Sequence, residues 1–320
     1  IPKINIKLNK GLISISGDYS DNNIYDIYFS IDNVNLNNIY SIIGKTYPIY
    51  GRIDNSKFQV EKKHVNALTP TIFADLSMFN GKFDNINFDS LSLHGTYHNR
   101  RLLISNYKLQ FNNGSMDADG WINIDLFQDS ISFTPDDKMK LLFSFNKYEI
   151  KPLNSYSPLG INTSGQLSGQ LEIEGFLNNL EIIGNINVNN PSFDKIQGQL
   201  LTGELRYQNS CMYFKNLQLK TRNGYYSGIG NMPININILQ SDTLNAKILA
   251  IDFSLTGRTN SLEFITPYFT AIDSIVGSNI QDSSFTMILD ITGDIDNPNR
   301  NGMLIINNAS LYMDYLYNPI

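Results

Sequence analysis

The chain has 320 residues, a formal charge of -6 and 42% hydrophobic residues. That is enough apolar material for a large core or a long apolar face, without the basic excess that binding a phosphate backbone requires. The densest basic groups, Glu61-Lys62-Lys63-His64 and Asn99-Arg100-Arg101, are short and isolated, which fits solvated turns rather than a nucleic-acid footprint. One cysteine, Cys211, excludes an internal disulfide framework, and no apolar run approaches the ~20 residues of a membrane-spanning helix.

Period-two alternation predicts strands from the first residues onward. Ile4, Ile6 and Leu8 alternate with Lys3, Asn5 and Lys7. Leu36 to Gly44 reads as a short helical turn, and Ile122, Ile124 and Leu126 alternate with Asn123 and Asp125. Asp136 to Lys140 and Ser155 to Pro158 look like connections. Further strands follow, with Leu171 and Ile173 set against Glu172 and Glu174, and Ile186 and Val188 against Asn185, Asn187 and Asn189. Ile234, Ile236 and Ile238 then alternate with asparagines, and Ile251, Phe253 and Leu255 with Asp252, Ser254 and Thr256. Ser261 to Gly277 offers a second helical stretch, interrupted by Pro267. Turn chemistry at Gly17-Asp18, Asp21-Asn22-Asn23, Asn113-Gly114, Asp119-Gly120, Asn223-Gly224 and Asp296-Asn297-Pro298-Asn299 predicts hairpin-linked antiparallel strands, mostly of about 5 to 8 residues.

The chain repeats itself. Residues 171–193 and 289–311 share 8 identities in 23, among them Leu171/Leu289, Ile173/Ile291, Gly175/Gly293 and Gly184/Gly302. In a second register, Phe83-Asp84-Asn85-Ile86 returns as Phe193-Asp194-Lys195-Ile196. At the same offset of 110 come Tyr97/Tyr207, Asn106/Asn216, Asn113-Gly114/Asn223-Gly224, Gly120/Gly230 and Ile124/Ile234. Repeats of roughly 110 to 118 residues predict one continuous body with approximate units 1–80, 81–190 and 191–320. Function in such arrays belongs to an extended surface more often than to a point-like site. A long antiparallel sheet twists and must cover its apolar face, as a barrel, a sandwich or a trough.

Gly165-Gln166-Leu167-Ser168-Gly169-Gln170-Leu171, continued through Gly175, Asn179 and Gly184, resembles the recurring element of the AsmA-like and TamB proteins of diderm bacterial envelopes. Gly293-Asp294-Ile295-Asp296-Asn297-Pro298 followed by Gly302 is a closer match, whereas the first copy carries Leu180 in place of the proline. Leu102 through Asn113-Gly114 to Gly120-Trp121 is similar to the family's second element. The resemblance implies an all-β chain, a long, curved antiparallel sheet forming an open trough (a β-taco groove) with few short helices. It further implies an internal fragment of a bridge across the periplasm, anchored to the inner membrane by a segment outside this chain and truncated at both ends. Its cargo would be phospholipid moving between inner and outer membranes, and its partner an Omp85-type outer-membrane barrel protein.

The trough would be lined by the apolar face: Ile122, Ile124, Leu126, Leu171, Ile173, Ile186, Val188, Ile234, Ile236, Ile238, Ile251, Phe253, Leu255, Leu289 and Ile291. Roughly 20 to 25 strands at about 4.8 Å each would extend on the order of 100 Å. The competing architecture is a tandem β-sandwich of an adhesin or scaffold, with these residues in closed cores. No catalytic constellation, cofactor or metal site is expected. His94 and His98 have metal-binding spacing only on a helix and are expected across a turn. Asp117-Ala118-Asp119-Gly120 lacks the downstream glutamate of a calcium loop and reads as an Asp-Gly hairpin, and Glu172 and Glu174 read as a solvated strand face.

Overall fold

The computed structural model describes residues 2–307 except 21–22, 45–47, 66–68, 85, 128–133, 157–161, 194–195, 236–246, 249, 261–283 and 295–297. The protein is all-β and antiparallel, and its sheet is open. It divides into two compact units, the first comprising residues 1–148 and 168–182 and the second residues 149–167 and 183–320.

The first unit begins with β1 (Ile4–Leu8), β2 (Gly11–Ser20), β3 (Ile24–Asp32), β4 (Val34–Asn35) and helix α1 (Leu36–Ile43). It continues with β5 (Ile49–Ile53), β6 (Ser56–Lys62), β7 (Thr71–Phe83), β8 (Ile86–His98), β9 (Arg101–Phe111), β10 (Gly114–Asn123) and β11 (Lys138–Glu149). Pairing runs β1-β2-β3-β6-β7-β8-β9-β10-β11. β5 shares the edge of β7 with β6, and β4 pairs with β5.

After a short 3-10 turn (Lys151–Tyr156) come β12 (Thr163–Phe176) and β13 (Asn179–Phe193), which contribute residues to both units. The second unit adds β14 (Ile196–Gln197), β15 (Leu200–Gln208), β16 (Cys211–Lys220), β17 (Gly224–Asn235), β18 (Lys247–Ile248), β19 (Ala250–Thr259), β20 (Ser284–Asp294) and β21 (Asn299–Asn307). Its main pairing is β15-β16-β17-β19-β20-β21, with β14 against β13 and β18 against β17.

Many strands exceed the expected 5 to 8 residues. β7 and β8 have 13 each, β12 has 14 and β13 has 15. In β2 and β10, of 10 residues each, sites with turn chemistry are strand interior. Gly17-Asp18 lies within β2, and Asp119-Gly120 lies within β10 at a register shift rather than in a hairpin. Gly120 has φ 135, and a Cβ there would collide with the Lys140 carbonyl oxygen, so glycine serves a bulge as well as a turn. His94 and His98 share β8 instead of flanking a turn, about 13 Å apart along an extended strand. The helical stretch from Ser261 to Gly277 lies outside the described residues.

Helix α1 follows its sequence signals. The Asn35 side chain accepts a bond from the Asn37 N–H at 2.9 Å, and Gly44 ends the helix at φ 67, which are N-cap and C-cap chemistry. Leu36 and Tyr40, one turn apart, pack with Ile53, Met78, Phe88 and Leu109 as a buried cluster. The Tyr40 hydroxyl donates to the Ile49 carbonyl at 2.7 Å.

Five local features recur at an offset of 110. Asn80 and Asn190 both have φ 49. Asn99-Arg100 and Asn209-Ser210 turn at φ 48, 60 and 53, 56, the paired positive values of a type I′ hairpin. Ser105 and Asn106 stand opposite Asp119 alone, as Lys215 and Asn216 stand opposite Ile229 alone. The Ile124 N–H donates to the Arg100 carbonyl at 2.9 Å, and the Ile234 N–H to the Ser210 carbonyl at 2.9 Å. Finally, Tyr97 and Tyr207, one residue before each hairpin's last pair, are 1% and 4% exposed.

Candidate functional site: an extended apolar face

Alternation sends every second side chain to one side of a sheet, and the register aligns those side chains into rows running across the strands. In the first unit one row reads Ile4, Ile15, Phe29, Phe58, Ala74, Gly95, Ile104, Gly120 and Leu141. Beside it runs Gly17, Ile27, Val60, Ile72, Tyr97, Leu102, Ile122 and Met139. On the other side Leu76, Leu93, Tyr107, Ala118 and Phe143 form a third row. Nine strands at about 4.8 Å carry the first row over about 40 Å.

The face is covered unevenly. Toward one end of the strands, α1 seals the level of Met78 and Leu109. Tyr97 and Met139 are buried, but Ile15, Phe29, Val60, Phe58, Ile104, Ile122 and Leu141 are only half-buried, and Ile4 and Ile6 are exposed. Along these rows most apolar side chains are therefore partly accessible rather than fully buried.

The second unit builds its own rows. Leu205, Phe214, Gly230, Phe253 and Ile291 form one, and Leu217, Gly228, Leu255, Leu289 and Gly302 the next. The Phe253 ring lies over Gly228 and Gly230, in the space a Cβ at either would occupy, which levels the surface. The row of Leu219, Tyr226, Gly257, Met287 and Leu304 is sealed by Tyr226, Met287 and the neighbouring Phe285, each under 5% exposed. Burial also pushes the Tyr226 phenol upward.

The expected lining residues fall into three groups. Phe253 with Ile291 and Leu255 with Leu289 are direct cross-strand pairs, and Ile251 opposes Gly293. Ile122 sits between Leu102 and Met139. Leu171 and Ile173 are half-buried on β12, and Ile186 is half-buried on β13. Ile124, Val188 and Ile234 are 6%, 3% and 8% exposed, so they act as core residues, and Leu126 lies in a bend beyond the end of β10. Ile236 and Ile238 lie outside the described residues. Sequence reasoning passed over Ile27, Phe29, Ile72 and Ile104, although Tyr25-Asp26-Ile27-Tyr28-Phe29-Ser30-Ile31 carries the alternation. Aromatic residues on both faces masked it.

The opposite face is mixed, with charged and polar side chains beside exposed Phe73, Leu103, Leu142 and Ile229. Glu172 and Glu174 both clamp the Lys140 ammonium, at 2.8 and 2.6 Å. The bonds to Glu172 and then Glu174 hold that ammonium above the ordinary lysine range. Because these carboxylates share a side with Lys140, Leu171 and Ile173 take the side of Met139 and Leu141. His98 Nδ1 lies 2.9 Å from Thr71 Oγ1. Among the described residues no group of three histidine, cysteine or acidic side chains could hold a metal, and no helix is long and apolar enough to cross a membrane.

No family model, curated protein or solved structure matches the chain.

Proposed function

We propose that the apolar face carries the acyl chains of phospholipids, as one segment of a lipid-conducting β trough. The observation that carries this reading is the run of half-buried apolar rows crossing strand after strand, Ile15 to Leu141 in the first unit and Leu205 to Ile291 in the second. Each methylene withdrawn from water contributes about 0.8 kcal/mol, so an acyl chain held on such rows moves from one to the next at nearly constant free energy. The headgroup stays in water and needs no polar pocket. Support also comes from the features recurring at an offset of 110, which fit a repeat that extends one surface by addition of like units, and from the resemblance of the Gly165 and Gly293 elements to AsmA-like and TamB proteins. On this reading the protein works in a diderm cell envelope, anchored to the inner membrane by a segment outside this chain, moves lipid for outer-membrane biogenesis beside an Omp85-type partner, and is not an enzyme.

Lipid extraction tests it. The purified chain is mixed with phosphatidylethanolamine and phosphatidylglycerol vesicles and separated by flotation, and protein-bound lipid is counted. Several phospholipids per chain are expected, with a clear loss for Ile104→Asp and Leu255→Asp at unchanged strand content. A lipid-free protein fraction contradicts the proposal.

A further inference from the structure

The opposite face of the first unit carries a second feature that the lipid reading leaves unused. A row on that side crosses the strands as Ser16, Tyr28, Gln59, Phe73, Thr96, Leu103, Trp121 and Lys140, with aromatic and polar side chains alternating over its first members. Tyr28 and Phe73 are 47% and 37% exposed, and they stand two strands apart, about 9.6 Å. Between and beside them is an open concavity of about 420 Å³ lined by Ser14, Ser30, Lys57, Gln59, Asp75 and His94 among others, within the usual range of ligand sites.

The Tyr28 ring is fixed before any ligand arrives. Its hydroxyl donates to Asp26 at 2.8 Å and accepts from Gln59 Nε2 at 3.1 Å, while the same Gln59 nitrogen donates to the other Asp26 oxygen at 2.8 Å. A ring held this way loses little freedom on binding.

The chemistry selects among ligand classes. An acyl chain has no use for the surrounding serine, amide, carboxylate and ammonium groups. An added peptide strand would need an open edge, yet β2, β3, β6 and β7 are each paired on both sides here. A nucleic acid would meet Asp26, Glu61 and Asp75 beside the lysines. A pyranose ring presents an apolar face of C–H groups and a belt of hydroxyls, the complement of an aromatic platform flanked by mixed donors and acceptors. Two strand spacings approximate two residues of an extended glycan chain.

We propose that the Tyr28–Phe73 concavity binds a linear β-1,4-linked glycan running across the strands, one sugar on Tyr28 and the next but one on Phe73. This binding is independent of the apolar face.

Calorimetric titration of the purified chain with cellohexaose, N-acetylchitohexaose and maltohexaose tests it. At least one of the two β-linked hexamers binds saturably with a Kd of about 1 mM or tighter. Tyr28→Ala and Phe73→Ala each weaken it by about tenfold or more, and Phe73→Trp restores it. Leu255→Asp, on the apolar face of the second unit, leaves it unchanged. Absence of saturable heat with both β-linked hexamers, equal affinity for maltohexaose, or binding that survives both alanine substitutions overturns the assignment.

Discussion

The runs β8–β10 and β15–β17 are built alike and finished differently. Both place a buried tyrosine, Tyr97 or Tyr207, next to a tight hairpin turn, and both open a two-against-one bulge six residues past that turn's first residue. They diverge in how the apolar face is closed. The first unit lays α1 over Leu109 and its neighbours, whereas the second folds Tyr226, Phe285 and Met287 onto one another. The side facing away differs too, with Asp119 opposite the first bulge and a 61% exposed Ile229 opposite the second. Backbone geometry is thus held by a few asparagine, glycine and tyrosine positions, while the cover varies.

The largest test of this likeness truncates the tyrosines. Tyr97→Ala and Tyr207→Ala each remove a large buried ring, and each should cost about 3 to 5 kcal/mol in denaturant unfolding. A neutral result at one of them would show that the two runs are not equivalent. Next come the bulge glycines. At Gly120 a side chain meets both a backbone clash and φ 135, so Gly120→Ala should cost about 1 to 3 kcal/mol. Gly230→Ala faces the Phe253 ring and the Asp252 carbonyl without that φ, and its smaller loss should appear as a higher melting temperature than that of Gly120→Ala.

The cover of the first unit should yield to gentler changes. Tyr40→Phe removes the bond to the Ile49 carbonyl and should cost about 0.5 to 1.5 kcal/mol. Asn35→Ala removes the cap and should cost about 1 kcal/mol. Both are measured by unfolding and by added hydrogen exchange at residues 36–43, and either should increase lipid uptake by the first unit's face without affecting the second.

The smallest effect concerns pH. The hydrogen bond to Asp54, followed by desolvation, holds the Asp32 carboxyl above its usual range, and the same bond lowers Asp54. A raised folded-state value means that Asp32's contribution is present below its unfolded pKa and is lost as pH rises through the folded one. Asp32→Asn should therefore gain stability relative to the parent between acid and neutral pH, seen as a melting-temperature difference that grows in that direction.

Much of this architecture can be read from alternation. The stretch Leu36 to Gly44 was legible as a short helical turn, and Phe253, Leu255, Leu289 and Ile291 lie on adjoining rows. What alternation misses is where a strand bends. Asp119-Gly120 has hairpin chemistry, but Gly120's positive φ serves a bulge, and only the partner strand decides between the two. Leu126 continues the apolar pattern, yet the chain leaves β10 after Asn123, where Arg100 engages Asp125 at 3.4 Å and the Leu126 N–H donates to the Tyr97 hydroxyl at 3.4 Å. Ile124 and Ile234 look like surface lining because period two cannot tell a row's middle from its buried end.

The central claim is that the half-buried rows hold lipid, and photocrosslinking inside cells tests it most directly. A benzophenone side chain placed at Ile104, Ile122 or Leu255, in the full-length protein expressed in a diderm host, should form phospholipid adducts on irradiation. The same group at Ser105, Asn123 or Ser254 should form few or none. Adducts of equal yield on both sets of positions, or none at all on the apolar rows, would contradict the account.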